Sequence, residues 1–179
     1  MGRPGGSPGP RRGRIWRSGR RQRGVGAISE SDDLPEAMAA IVQDFKAVSE
    51  RDRLQLLLDF SRELPPLPPK LEGHRDAMEP VPECQSPVFL LVEVEGRDAA
   101  GSRVHLWFDA PAEAPTTRGF AGILREGLDG LSAPEVLALP DDVPERLGIG
   151  SAVSPLRLRG MAGMLARIKR QVRAKQPAA

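Results

Sequence analysis

The chain has one cysteine, two histidines and no tyrosine in 179 residues, and aromatics make up only 4% of it. One cysteine excludes an intramolecular disulfide, so no disulfide framework holds the fold. It also excludes an ordinary iron–sulfur cluster held by this chain alone, which needs four thiolates. Cys84, His74 and His105 have no metal-ligand spacing, and structural metal sites normally need three or four ligands. No phosphate-binding glycine loop, dinucleotide turn or nucleophile elbow is present. No apolar run approaches the roughly 18–20 residues of a membrane span. The lack of disulfides suits a reducing, cytoplasmic setting.

Charge is uneven. Residues 1–28 hold eight arginines and no acid, which leaves a net of −6 over residues 29–179. The overall +2 and the pI near 9.1 therefore describe the tail. A mildly acidic body argues against nucleic acid as the main partner. The Arg/Gly/Pro-rich tail has almost nothing to bury and is expected to be disordered. It lacks the continuous apolar segment of a secretory signal. It can be read as a nucleic-acid arm, as a transit-like segment, or as an upstream extension without function, such as a misjudged start. The last reading is preferred, because glycine and proline work against an amphipathic targeting helix.

What is present reads as α+β over residues 29–179: a helical hairpin, a small antiparallel sheet and C-terminal helices. A first helix starts near Asp33-Leu34-Pro35, with Met38, Ile41, Val42 and Phe45 on one face. Ser49-Glu50-Arg51-Asp52 opens a second, with Leu54, Leu57, Leu58 and Leu64 as its apolar set. Pro65-Pro66-Leu67-Pro68-Pro69 stops it and starts a long loop, of the kind that is usually functional or disordered. Val88 to Glu95 and Arg103 to Asp109 read as a strand hairpin, with room for a short third strand between Pro111 and Pro115. Thr116 or Thr117 can cap a third helix, with Phe120, Ile123, Leu124 and Leu128 inward and Gly127 and Gly130 at its end. Ser132-Ala133-Pro134-Glu135 opens a short helix, and one further turn runs from Val143 to Leu147. Ser154-Pro155 opens the last helix, whose face is Met161, Met164, Leu165, Ile168 and Val172.

The candidate reactive group is Cys84, in Pro82-Glu83-Cys84-Gln85-Ser86-Pro87 just before the first strand. On residue type alone a free cysteine is more often a small buried hydrophobe. Uniqueness favours a carrier: a persulfide on Cys84 has no second thiol in the chain to discharge it, so its sulfur leaves only to an external thiol. Arg118, Arg157 and Arg159 stand at helix starts, against the helix dipole, where functional pressure is worth suspecting. The plain reading is that they are solvated.

Three stretches resemble the SufE family of sulfur acceptors in iron–sulfur cluster assembly. Val81-Pro82-Glu83-Cys84-Gln85-Ser86-Pro87-Val88 is similar to the family's cysteine loop. Glu113-Ala114-Pro115-Thr116-Thr117-Arg118-Gly119-Phe120 is similar to its entry to the central helix. Val153-Ser154-Pro155-Leu156-Arg157-Leu158-Arg159-Gly160-Met161 is similar to its Ser/Thr-Pro-x-Arg-x-x-Gly entry to the last helix. The resemblance spans about residues 36–175. It implies a SufE-like domain with a fold similar to the IscU-type scaffold. It also implies a pyridoxal-phosphate cysteine desulfurase of the SufS type and a SufBCD-type scaffold as partners, with no cofactor bound by the chain itself; the lack of a long apolar run leaves no membrane among the expected partners. The protein is then a sulfurtransferase-like carrier that stimulates the desulfurase, rather than a stand-alone enzyme. Carried over by position, Cys84 is the persulfide acceptor, Gln85 and Ser86 shape its loop, and Glu113, Arg118 and Arg157 belong to the loop or partner surface. Two readings of other classes stand beside this: a non-catalytic adaptor with a structural cysteine, and an arginine-tailed nucleic-acid binder. The chain departs from the family at Glu83, where glycine is frequent. A carboxylate there limits loop mobility and raises the pKa of the neighbouring thiol. The arginine-rich tail lies outside the family pattern.

Overall fold

Helix α3 (Pro115–Leu128) is the centre of the structure, a computed structural model that describes residues 33–176. The Arg-rich tail lies outside the described residues. Phe120, Ala121, Ile123, Leu124 and Leu128 are all at most 1% exposed, so this helix is covered almost all round. On one side lie α1 (Glu36–Ala47) and α2 (Glu50–Glu63); on the other lie the sheet and α6 (Pro155–Lys175). The seam with α2 is tight because α3 presents glycine to it. A Cβ on Gly119 or Gly122 would lie 2.5 Å from the carbonyl oxygens of Leu57 and Phe60. The two helix backbones therefore meet closely, with the Leu57 side chain seated against Gly119.

The helix pair is not the hairpin the sequence suggests. α1 and α2 each pack chiefly on α3 rather than on one another, although Phe45 and Phe60 stack at 5.9 Å between ring centroids. The inward face of α2 is Leu57, Phe60 and Ser61, with Leu64 buried just after its end, and Leu54 points outward. Pro35 occupies the N-cap of α1 and not its first turn.

The sheet is three-stranded and antiparallel, in the order β1 (Glu79–Pro80), β2 (Phe89–Glu95), β3 (Arg103–Asp109). Its third strand comes from the proline loop before the cysteine, not from residues 111–115. β2 and β3 pair from Phe89↔Asp109 to Glu95↔Arg103, which turns Leu90, Val92, Val104, Leu106 and Phe108 inward. Because β1 has only two residues, most of one β2 edge has no strand beside it among the described residues. Side chains of α6 cover that edge: Gln171 accepts from Val92 N–H at 2.9 Å, and Lys175 donates to the Val92 carbonyl at 2.6 Å. The opposite edge is closed by chain following α3, where Asp129 accepts from Leu106 N–H and the Leu131 carbonyl accepts from Val104 N–H, each at 2.8 Å. Neither edge offers a bare ladder for aggregation.

The long loop is anchored rather than loose, with Leu71, Met78 and Val81 buried and a 3-10 turn at Arg75–Ala77. α3 begins at Pro115 with no side-chain cap from Thr116 or Thr117, and Gly127 is a buried helical residue. Gly130, at φ 85°, makes the turn that follows. α4 (Ala133–Ala138) opens on the Ser132/Glu135 capping box, α5 is Val143–Arg146, and Ser154 caps α6. The five residues expected on the inner face of α6 are all buried.

Candidate functional site

The cysteine loop is an eight-residue excursion closed at its base. Val81 N–H donates to the Val88 carbonyl at 2.9 Å, and both residues are core, at 2% and 1% exposure. Between them Pro82, Glu83, Gln85 and Pro87 face solvent, while Cys84 turns inward and is half-buried. A turn bond from Cys84 N–H to the Val81 carbonyl at 3.1 Å points it that way.

What receives the thiol is a stripe on α6. A Cβ on Gly160 would lie 3.2 Å from Cys84 Sγ, and a Cβ on Gly163 would lie 3.0 Å from the Glu83 carboxyl carbon. One turn further along, Arg167 Nη1 stands 2.7 Å from Glu83 Oε2. Gly160, Gly163 and Arg167 are spaced three and four apart and so share one helix face. Cys84 and Glu83 lie on that face side by side.

In front of the thiol is a pocket of about 210 Å³. Glu83 to Ser86 form one wall, the start of α3 from Glu113 to Thr117 forms another, and Arg157 and Gly160 of α6 form the third. Arg157 donates from Nη1 to Thr116 Oγ1 at 2.9 Å, tying the starts of α3 and α6 together across the pocket. Arg157 is otherwise exposed, whereas Thr116 is only 7% exposed. The structure thus brings together Cys84, Gln85, Ser86, Glu113 and Arg157. It does not bring Arg118. That guanidinium donates to the carbonyls of Ser61, Ala110 and Leu64 at 2.8–3.0 Å, satisfying chain ends around α2 and β3. Those three acceptors explain why a cation is tolerated at the start of α3. Thr116, Gly163 and Arg167 join the site although the sequence alone does not mark them as site residues. Only the repeat of Gly160, Gly163 and Arg167 along one helix face could have signalled the last two.

The electrostatics quiet the thiol. Burial pushes Cys84 up from 9.0 to about 11, the Glu83 charge adds to this, and Arg167 partly opposes it. As seated, the thiol is almost entirely protonated at pH 7. The thiolate is the nucleophile, so this seat makes Cys84 a weak one. Glu83 is held below the usual carboxylate range, chiefly by its hydrogen bond to Arg167. Among the described residues no group of three or more His, Cys, Asp or Glu could hold a metal ion, and no helix is long and apolar enough to cross a membrane.

Fold and site together define an α+β domain that carries one seated thiol in a pocket walled by two helix starts. Its residues 39–172 match the family model of SufE, the Fe-S metabolism associated domain. A SufE-like protein of Mycobacterium tuberculosis is 55% identical over 140 residues, which is 78% of this chain and 94% of that protein. A SufE-like protein of Rhizobium meliloti is 28% identical, over 77% of this chain and 96% of its own. The solution structure of a hypothetical protein from Thermus thermophilus superposes with a TM-score of 0.67 at 39% identity, covering 79% of this chain and 97% of that one. The chain belongs to the SufE family and has a role in iron–sulfur metabolism.

Proposed function

We propose that the protein is a sulfur acceptor and carrier. It takes persulfide sulfur from a pyridoxal-phosphate cysteine desulfurase of the SufS type onto Cys84, stimulates that enzyme's turnover, and relays the sulfur to a SufBCD-type scaffold. The observation that carries the reading is the position of the only thiol, half-buried at the edge of an open pocket on a loop closed at its base. The Cys84 thiolate attacks the terminal sulfur of the desulfurase persulfide. The new sulfur–sulfur bond forms on Cys84 as the old one breaks, and the desulfurase cysteine leaves as thiolate. No net oxidation occurs, and the protons balance because the sulfane hydrogen travels with its sulfur. Gln85 and Ser86 shape the loop that presents the thiol, and Glu113 and Arg157 form the partner-facing rim. A thiol carrier works in a reducing compartment, so we place the protein in the cytoplasm.

A second reading has an observation in its favour. The burial and raised pKa of Cys84 suit a structural cysteine in an adaptor that only regulates a desulfurase. Intact mass spectrometry separates the two. With cysteine and an active SufS-type desulfurase, a carrier gains one sulfur, lost on treatment with dithiothreitol and absent in Cys84→Ser. An adaptor gains none, and its activation of the desulfurase survives that substitution.

A further inference from the structure

Two side-chain attachments hold loop 82–87 to α6: Cys84 against Gly160, and Glu83 against Gly163 and Arg167. The second is charged and lies at the surface, with Glu83 41% and Arg167 17% exposed. Arg167 also has another carboxylate within reach. Its Nε stands 3.1 Å from Glu79 Oε1. That nitrogen is buried and makes no hydrogen bond in this arrangement, because the approach is out of line. Glu79 is itself fixed on β1, where it meets Arg170 and accepts from Gln171 Nε2 at 3.0 Å.

A buried cation that loses its only counter-charge is strongly destabilising. Arg167 does not face that loss. Glu79 already stands 3.1 Å from Nε, so the guanidinium keeps a carboxylate beside it whether or not Glu83 is in place. The arrangement has the properties of a reversible catch: a weak, partly hydrated ion pair on the moving side and a permanent acceptor on the fixed side.

We infer that Glu83 and Arg167 are positioning residues that latch the cysteine loop onto α6, with Glu79 receiving Arg167 when the loop is released. Position 83 therefore sets how often the thiol is presented. In place of a flexible hinge residue, the chain has a carboxylate that is attached when the loop is in and free when it is out. The relevance of the latch to sulfur transfer rests on the acceptor role proposed above, but the latch itself is tested without any desulfurase.

The test uses the full chain, a neutral electrophile (iodoacetamide) at pH 8, and hydrogen exchange of the peptide spanning residues 81–88. Glu83→Gln keeps the shape that packs on Gly163 and removes the charge. It is expected to raise the alkylation rate of Cys84 about fivefold, the scale of a partly exposed ion pair, and to speed amide exchange in the loop. Arg167→Lys keeps a cation but not the fork that meets two carboxylates, so its rate should fall between wild type and Glu83→Gln. Unchanged alkylation in Glu83→Gln overturns the latch. Faster alkylation with unchanged exchange overturns it too, since Glu83 would then act only through its charge on the thiol. Failure of sulfur transfer from a desulfurase overturns the acceptor role and leaves the latch result standing.

Discussion

Glycines on α3 and on α6 let a neighbouring segment come close to each helix, and the two places differ in what lies opposite. Gly119 and Gly122 of α3 face the carbonyl oxygens of Leu57 and Phe60, which belong to the backbone of α2. Gly160 and Gly163 of α6 face Cys84 Sγ and the Glu83 carboxylate, which are side chains of a loop. The first seam joins two regular elements through the core and cannot give way locally. The second joins a helix to a loop whose outer residues are exposed and whose base is closed by the core residues Val81 and Val88. The same residue type thus builds a permanent joint on α3 and a detachable seat on α6.

The comparison breaks first at the α3 seam. Gly122→Ala places a methyl 2.5 Å from a backbone oxygen that no rotamer change can move. Even after a gain in helix propensity, it should lower unfolding free energy by about 3 kcal/mol in urea denaturation. Arg118→Met acts on the same side. It strands the Ser61, Leu64 and Ala110 carbonyls, partly within reach of water, and should cost about 2 kcal/mol. If either variant is as stable as wild type, the α2–α3 seam is not the rigid half of the comparison.

Much of this is legible in the sequence, and the exceptions have physical reasons. Long helices are plain: every residue that the spacing turns inward on α3 and α6 is buried, although α3 is covered on its other sides as well. The serines before α2, α4 and α6 cap as their motifs require. The rotation of α2 is not legible, because its several leucines support two overlapping faces, and the face used is the one that meets α3 and stacks Phe60 on Phe45. β1 is hidden because two residues, Glu79 and Pro80, have no period to detect, and their pairing depends on β2 being in place. Arg118 and Arg157 look alike in sequence since both stand at helix starts. Yet the carbonyls that engage Arg118 come from more than fifty residues earlier in the chain as well as from nearby Ala110. Arg167 gives no sign for the converse reason. Its two carboxylate partners belong to the loop region 79–83, and a cation in mid-helix carries no local signal.

On the α6 side the effects on stability should be small and the effects on the thiol large. Gly160→Ala adds a methyl 3.2 Å from Sγ, which the loop can relieve by shifting outward. Helix propensity rises by up to about 1 kcal/mol, so unfolding free energy should stay within about 1 kcal/mol of wild type. Cys84 alkylation should become severalfold faster as the thiol loses burial. In wild type, the thiol pKa of about 11 predicts that the alkylation rate climbs close to tenfold per pH unit from pH 7 to pH 10. In urea-unfolded protein the rise should level off near the ordinary thiol range. A native profile that levels off near pH 9 would mean the seat does not protect the thiol.

The smallest effect on stability sharpens the comparison most, because it repeats a substitution already made on the rigid side. Arg157→Met removes the same charge as Arg118→Met, again from the start of a long helix. Arg157 is exposed and its guanidinium donates to the Thr116 hydroxyl rather than to carbonyls at chain ends, so unfolding free energy should change by no more than about 0.5 kcal/mol. Sulfur acceptance from a desulfurase should fall, since the rim beside Cys84 has lost its cation, whereas a destabilised but folded Arg118→Met retains that rim and should accept sulfur normally. Measured together by urea denaturation and by mass gain, the two variants should exchange their order between the two readouts. If both lose stability and transfer in step, the two helix starts are one structural unit, and the division between a fixed joint and a detachable seat does not hold.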